Sequence, residues 1–180
     1  DILQRIAGRR PIIGNSPEAI RAVRSWADLF PKLRKAGFSI PETHIGGETH
    51  PADPGRRWLA KPVLSGGGKG IRFWPSSEPP GIPYVLQEYM PGKSCSASFV
   101  ANGHECIVIG LTRQLIGLEQ FGSKGFHYCG NILPLPESLE PEKGPKILEQ
   151  VRQLAAFLTR EYRLAGVNGI DFILDADRVI

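Results

Sequence analysis

Trp58-Leu59-Ala60-Lys61-Pro62-Val63-Leu64-Ser65-Gly66-Gly67-Gly68-Lys69-Gly70 is the stretch on which the fold turns. Arg56 to Val63 reads as a strand, and Ile71, Phe73 and Trp74 suggest its return. Between them lies a glycine loop preceded by a lysine. Glycines let backbone N–H groups approach anionic oxygens, and an ammonium neutralises their charge, so the pair suits a phosphate cradle. A glycine-rich hairpin turn with a solvated lysine fits the same residues, and the loop alone does not decide. It is not a Walker A loop, because Val63 stands where the first glycine is needed and Ile71 cannot replace Ser/Thr. No clear helix follows it, which argues against a dinucleotide-binding turn.

Downstream, Tyr84-Val85-Leu86-Gln87-Glu88-Tyr89-Met90-Pro91-Gly92 is an apolar strand that ends in a polar pair and a proline–glycine bend. A carboxylate there can accept from the exocyclic amine of an adenine, with Tyr89 and Met90 as apolar walls, but taken alone the segment is read more simply as an edge strand with an exposed glutamate. Ser94–Ala101 and His104–Leu111 flank Asn102-Gly103, which predicts a two-residue hairpin. Residues 113–140 read as irregular. Ile147, Val151, Leu154 and Leu158 line one face of a helix over Pro141–Tyr162. Then Gly166-Val167-Asn168-Gly169-Ile170-Asp171-Phe172-Ile173-Leu174 sets Asp171 within an apolar strand, where a carboxylate either coordinates a cation such as Mg²⁺ or faces solvent.

Upstream, Ser16-Pro17-Glu18 starts a helix over Ser16–Ala36 that Pro31 should kink or split. Residues 1–14 read as the tail of something earlier, and a hairpin begun at Val179 and Ile180 stops at once, so the chain reads as a piece of a longer one. The expected division is 1–14, then 15–88 with the phosphate loop, then 89–180.

The 180 residues are 41% hydrophobic with a net charge of +4. The basic residues are scattered, with no block of like charge, which favours a phosphate pocket over nucleic acid. No apolar run reaches the roughly 20 residues that a membrane helix needs. Three cysteines, Cys95, Cys106 and Cys129, lack metal-ligand spacing and suggest a reduced, cytoplasmic protein.

Taken in order, Lys61-Pro62, the glycine loop, Gln87 to Gly92, a hairpin, a long helix and Gly169 to Leu174 closely resemble the ATP-grasp superfamily. Gly14-Asn15-Ser16 and Ala36 to Glu42 resemble its entry segment. The resemblance covers nearly the whole chain. It implies an α+β fold of two lobes with ATP between them, and a carboxylate activated by ATP for an amine or thiol. Lys61 would touch phosphates or adenine, and Ser65, Gly66, Gly67, Gly68 and Gly70 would close over the phosphates. Gln87, Glu88, Tyr89 and Met90 would border the adenine, and Asp171 would be a Mg²⁺ ligand. Ser94 stands at a ribose position that is acidic in many members, and Gly169 replaces an arginine found in some.

By the same resemblance, Lys124, His127 and Tyr128 lie near the acceptor substrate. Family members carry a Glu-x-Asn metal motif beyond the point where Ile180 stands, so the chain by itself is expected to be a poor catalyst. A carboxylase-type member that activates bicarbonate, and an ATP-sensing module without chemistry, remain open alternatives. The carboxylate, the acceptor and the oligomeric state are not specified by these residues.

Overall fold

A computed structural model describes residues 2–45, 55–74 and 81–180. The parts of the expected 1–14 and 15–88 segments at residue 1, 46–54 and 75–80 lie outside the described residues. Two antiparallel sheets organise the rest, an α+β architecture as expected.

The first sheet contains β1 (Thr43–Ile45), β2 (Trp58–Pro62), β3 (Arg72–Phe73) and β4 (Tyr84–Glu88), in the order β1-β4-β2-β3. Residues directly opposite in these ladders share a face. Thr43 and Leu59 both stand opposite Gln87, and Lys61 opposite Val85, so Thr43, Leu59, Lys61, Val85 and Gln87 share one side. Trp58, Ala60, Tyr84 and Leu86 fill a small core on the other, with Trp74 packed against it.

The second sheet contains β5 (Lys93–Asn102), β6 (Cys106–Ile116), β7 (Tyr128–Ile132), β8 (Ala165–Asp175) and β9 (Arg178–Val179), in the order β7-β6-β5-β8-β9. One face carries Cys95, Ala97, Phe99, Leu111, Ile170, Phe172 and Leu174, all buried. The apolar stripe of α4 (Lys143–Tyr162) packs there through Ile147, Val151, Ala155 and Leu158. Ser94, Ser96, Ser98 and Val100 alternate to the open face. Entry into β5 needs Gly92: a Cβ there would lie 2.7 Å from the Leu174 carbonyl oxygen.

At the amino-terminal end, α1 (Ile2–Ala7) contains no buried residue. Two further helices, α2 (Pro17–Val23) and α3 (Trp26–Lys35), pack against the α4 core through Val23, Leu29, Phe30 and Leu33. Tyr162 donates its hydroxyl to Asp28 at 3.0 Å, and Lys32 bridges Asp28 and Glu161 at 2.9 Å each. The side chains of α2 and α3 thus join the core that α4 shares with the second sheet.

Three local expectations are corrected. The break in the first helical segment falls at Arg24–Ser25, where the Ser25 carbonyl accepts from Asp28 and Leu29 and starts α3 afresh. Pro31 lies inside α3. It forfeits one bond, to Ala27, and both residues are exposed, so water can take that carbonyl. The hairpin tip is Gly103-His104, shifted by one residue from Asn102-Gly103. Asn102 Oδ1 accepts from the N–H groups of both His104 (3.0 Å) and Glu105 (2.8 Å), which makes Asn102 the residue before the turn. Finally, the irregular 113–140 region contains β7, which pairs with β6. Its Tyr-Cys-Gly-Asn-Ile sequence carries little strand signal, and as an edge strand it takes its conformation from its partner.

Candidate nucleotide-binding site

The site begins with strand alternation. Lys61 at the end of β2 and Gln87 near the end of β4 share one face, and Lys61 Nζ donates to Gln87 Oε1 at 2.5 Å. Gln87 is only 6% exposed. Its Nε2 donates to Thr43 Oγ1 at 3.0 Å, and Thr43 Oγ1 donates to the Pro41 carbonyl at 3.2 Å. Burial pushes the Lys61 ammonium pKa down, and the negative charge of Asp171 opposes that shift.

Asp171 is exposed on the open face of the second sheet, alternating with buried Ile170 and Phe172. Of the two settings that the sequence left open, its strand is buried on one face only, and Asp171 looks outward. Gln114 Nε2 donates to Asp171 Oδ1 at 2.8 Å. Ser96 stands opposite Asp171 and shares a 2.7 Å hydrogen bond with Thr112 on the next strand. The second sheet therefore offers a carboxylate in a polar row of Thr112, Ser96 and Asp171. Among the described residues, no three His, Cys, Asp or Glu side chains cluster to hold a metal. The donor set suits Mg²⁺ rather than a caged ion: Mg²⁺ takes one or two carboxylates and fills its shell with phosphate oxygens and water.

The glycine loop reaches from the first sheet to the second. Lys69 N–H donates to the Gly66 carbonyl and Ile71 N–H to that of Gly68, each at 3.2 Å. Ser65 Oγ donates to the Lys69 carbonyl. On the other side, Tyr128 N–H donates to the Gly67 carbonyl at 3.0 Å. Gly68 has φ +76, and a Cβ added there would meet the Phe126 carbonyl oxygen at 1.8 Å. Rings extend the junction: Phe73 lies 5.3 Å from Phe126 and 5.2 Å from Tyr89, both edge-on. The Arg57 guanidinium covers Phe73 at 3.9 Å and Tyr89 at 4.9 Å.

The sequence-selected residues do not all converge. Glu88 stands opposite Trp58, on the face away from Lys61. Its Oε2 accepts from the Glu42 N–H at 3.3 Å and lies 3.6 Å from Arg56, which also pairs with Glu42 at 2.7 Å. The neighbouring Gln87 occupies the Lys61 face instead. Tyr89 and Met90 are half-buried in the link between the sheets, and Ser94 is half-buried on the open face, opposite Ile173. Lys124 and His127 are exposed; the His127 N–H donates to the Lys124 carbonyl at 3.1 Å, and Tyr128 is held by the glycine loop. Thr43, Gln114 and Phe126 were not selected from sequence, and no local motif marks them. Their part depends on strand register and on the approach of two distant loops.

The molecule resembles several solved structures. An ATP-grasp superfamily protein from Archaeoglobus fulgidus superposes with a TM-score of 0.70 at 20% identity, over 99% of this chain and 50% of that one. The D-alanine–D-alanine ligase of Bacillus anthracis in complex with ATP gives 0.67 at 12% identity, over 99% and 60%. The carboxyaminoimidazole ribonucleotide synthase of Aspergillus clavatus in complex with ATP gives 0.68 at 16% identity, over 99% and 48%. In sequence, the chain is 29% identical over 180 aligned residues to the uncharacterized protein MJ0776 of Methanocaldococcus jannaschii. That alignment takes in 94% of this chain, which spans 42% of the relative's length. At these identities the structural matches speak for the fold alone. Residues 26–180 match the family model described as the ATP-grasp domain, and the chain belongs to that family.

Proposed function

We propose that the chain is the nucleotide-binding portion of an ATP-dependent ligase that activates a carboxylate as an acyl phosphate for attack by an amine or thiol. The observation that carries this reading is the glycine loop of the first sheet lying against the β6–β7 connection of the second, with Lys61 held by buried Gln87 on one sheet and Asp171 exposed on the open face of the other. Phosphoryl transfer asks a protein chiefly for positioning and charge neutralisation, which this set of residues can supply without a covalent nucleophile.

In this reading the adenine lies against the end of β4, between Gln87, Tyr89 and Met90, with Ser94 towards the ribose. Lys61 has two N–H donors beyond the one given to Gln87, and these serve the phosphates. Ser65 to Gly70 close over them with backbone amides. Glu88 holds the strand end to Glu42 and Arg56. Asp171 would hold Mg²⁺, which supplies charge neutralisation on the phosphate oxygens when bound. The substrate carboxylate oxygen attacks the γ-phosphorus, the bond to the β–γ bridging oxygen breaks, and ADP departs with that electron pair. The acceptor then attacks the acyl carbon and inorganic phosphate leaves.

The test uses the full-length enzyme with ATP, Mg²⁺, a panel of small carboxylates and hydroxylamine as a general acceptor. ADP and hydroxamate formed in equal amounts support the reading. ADP release that requires bicarbonate and gives no hydroxamate would point to carboxylase chemistry, and ATP binding without ADP release to a sensor.

A further inference from the structure

We propose that Thr43 is a positioning residue that fixes the Gln87 amide with its oxygen turned into the nucleotide cleft, and so selects adenine over guanine. The inference rests on the nucleotide reading above and assigns a task to a residue outside the set expected to touch ATP.

A glutamine amide has two ends of nearly equal shape and opposite hydrogen-bonding sense, so its orientation is set by its neighbours. Thr43 stands directly opposite Gln87 across the β1–β4 ladder. Its single hydroxyl proton goes to the Pro41 carbonyl at 3.2 Å. While that bond is kept it accepts from Gln87, and Gln87 Nε2 donates to it at 3.0 Å. The other end of the amide, Oε1, then faces Lys61 Nζ at 2.5 Å. Lysine only donates, so both neighbours demand the same orientation. Gln87 is 6% exposed, and a reversed amide would set N–H against an ammonium and could receive the Thr43 proton only if Thr43 gave up its bond to Pro41.

The two neighbours differ in what else they do. Lys61 carries the charge that phosphates need, and its hold on Oε1 is shared once a nucleotide enters. Thr43 sits at the first residue of an edge strand, behind Gln87 as seen from Lys61, and serves the amide alone in this relay. With its oxygen inward, Gln87 accepts from the exocyclic amine of adenine. With its nitrogen inward, it would donate to the carbonyl that guanine carries at the same ring position. A site built around one such polar contact discriminates strongly against the analogue that cannot make it.

ATP and GTP are titrated calorimetrically, with Mg²⁺, into the whole chain and into Thr43→Val, Thr43→Ser, Gln87→Glu and Thr43→Val/Gln87→Glu. The wild type is expected to prefer ATP. Thr43→Val should lower the ATP-to-GTP affinity ratio about tenfold, while Thr43→Ser, which keeps the hydroxyl, retains it. In Gln87→Glu both terminal atoms accept, so adding Thr43→Val should leave the ratio unmoved, which a merely structural threonine would not do. Thr43→Ala removes the same hydroxyl and repeats the test where valine is not accommodated. An unchanged ratio in the Thr43 variants, or a change that persists on the Gln87→Glu background, overturns the inference while the nucleotide reading stands. A wild-type chain that binds neither nucleotide overturns both.

Discussion

A Cβ on Gly68 would lie 1.8 Å from the carbonyl oxygen of Phe126, so the glycine loop of one sheet is in backbone contact with the β6–β7 connection of the other. Gly68→Ala should disrupt that contact and force a side chain onto φ +76, where only glycine is comfortable. Gly66→Ala is its control, since a Cβ there meets nothing within 4 Å. ATP affinity measured by calorimetry should fall about tenfold or more in the first variant and stay near wild type in the second. The melting temperature should change little in either, because the loop contributes no core.

Lys61 and Lys69 both lie by the loop, but only Lys61 is tied to buried Gln87, whereas Lys69 is exposed. Lys61→Ala should therefore weaken ATP binding more than Lys69→Ala. Equal losses would contradict the role given to Lys61.

Asn15 joins the entry segment to the start of β8. Its Oδ1 accepts the Ala165 N–H at 2.7 Å, and its Nδ2 donates to Asn168 Oδ1 at 2.6 Å. Asn15→Ala strips both partners in a partly buried setting and should cost about 1–3 kcal/mol in urea unfolding. A loss below about 0.5 kcal/mol would mean that the segment is held by something else.

The Cys95 thiol is pushed up to about 11 from an ordinary value of 9.0, first by burial and then by the charge of Glu137. The unfolded chain ionises this thiol from pH 9 upward, while the folded chain keeps it protonated until about pH 11. Folding stability from this group is thus intact below pH 9 and declines as pH rises from 9 towards 11. Thiol labelling at pH 8 should modify Cys106 and Cys129, both half-buried, well before fully buried Cys95. Cys95→Ser should flatten the decline in stability.

Much of the architecture could be read from the chain because its signals are local. The stripe Ile147, Val151, Leu158 needs a helix, and Ile170, Phe172 and Leu174 alternate because one face of β8 meets that helix. The harder distinctions were those of register. Gln87 and Glu88 are neighbours on a strand, so only one can face Lys61, and the sequence does not say which. Pairing β2 with β4 decides it by setting Leu59 opposite Gln87 and Trp58 opposite Glu88. Thr43, 44 residues from Gln87 in the chain, becomes visible only when β1 pairs with β4. Gln114 meets Asp171 across β5, which lies between their strands, and Phe126 meets Gly68 because two connections far apart in the chain converge.

The central claim, that Asp171 completes a cation-assisted phosphate site with Lys61, is tested most directly by titrating ATP into the wild type and Asp171→Asn, with and without Mg²⁺. Asparagine keeps the shape and an oxygen for Gln114, so both proteins should melt at similar temperatures. The account predicts that Mg²⁺ strengthens ATP binding to the wild type and that Asp171→Asn loses most of that gain, while metal-free binding is retained or slightly improved. An equal Mg²⁺ effect in both proteins would contradict it.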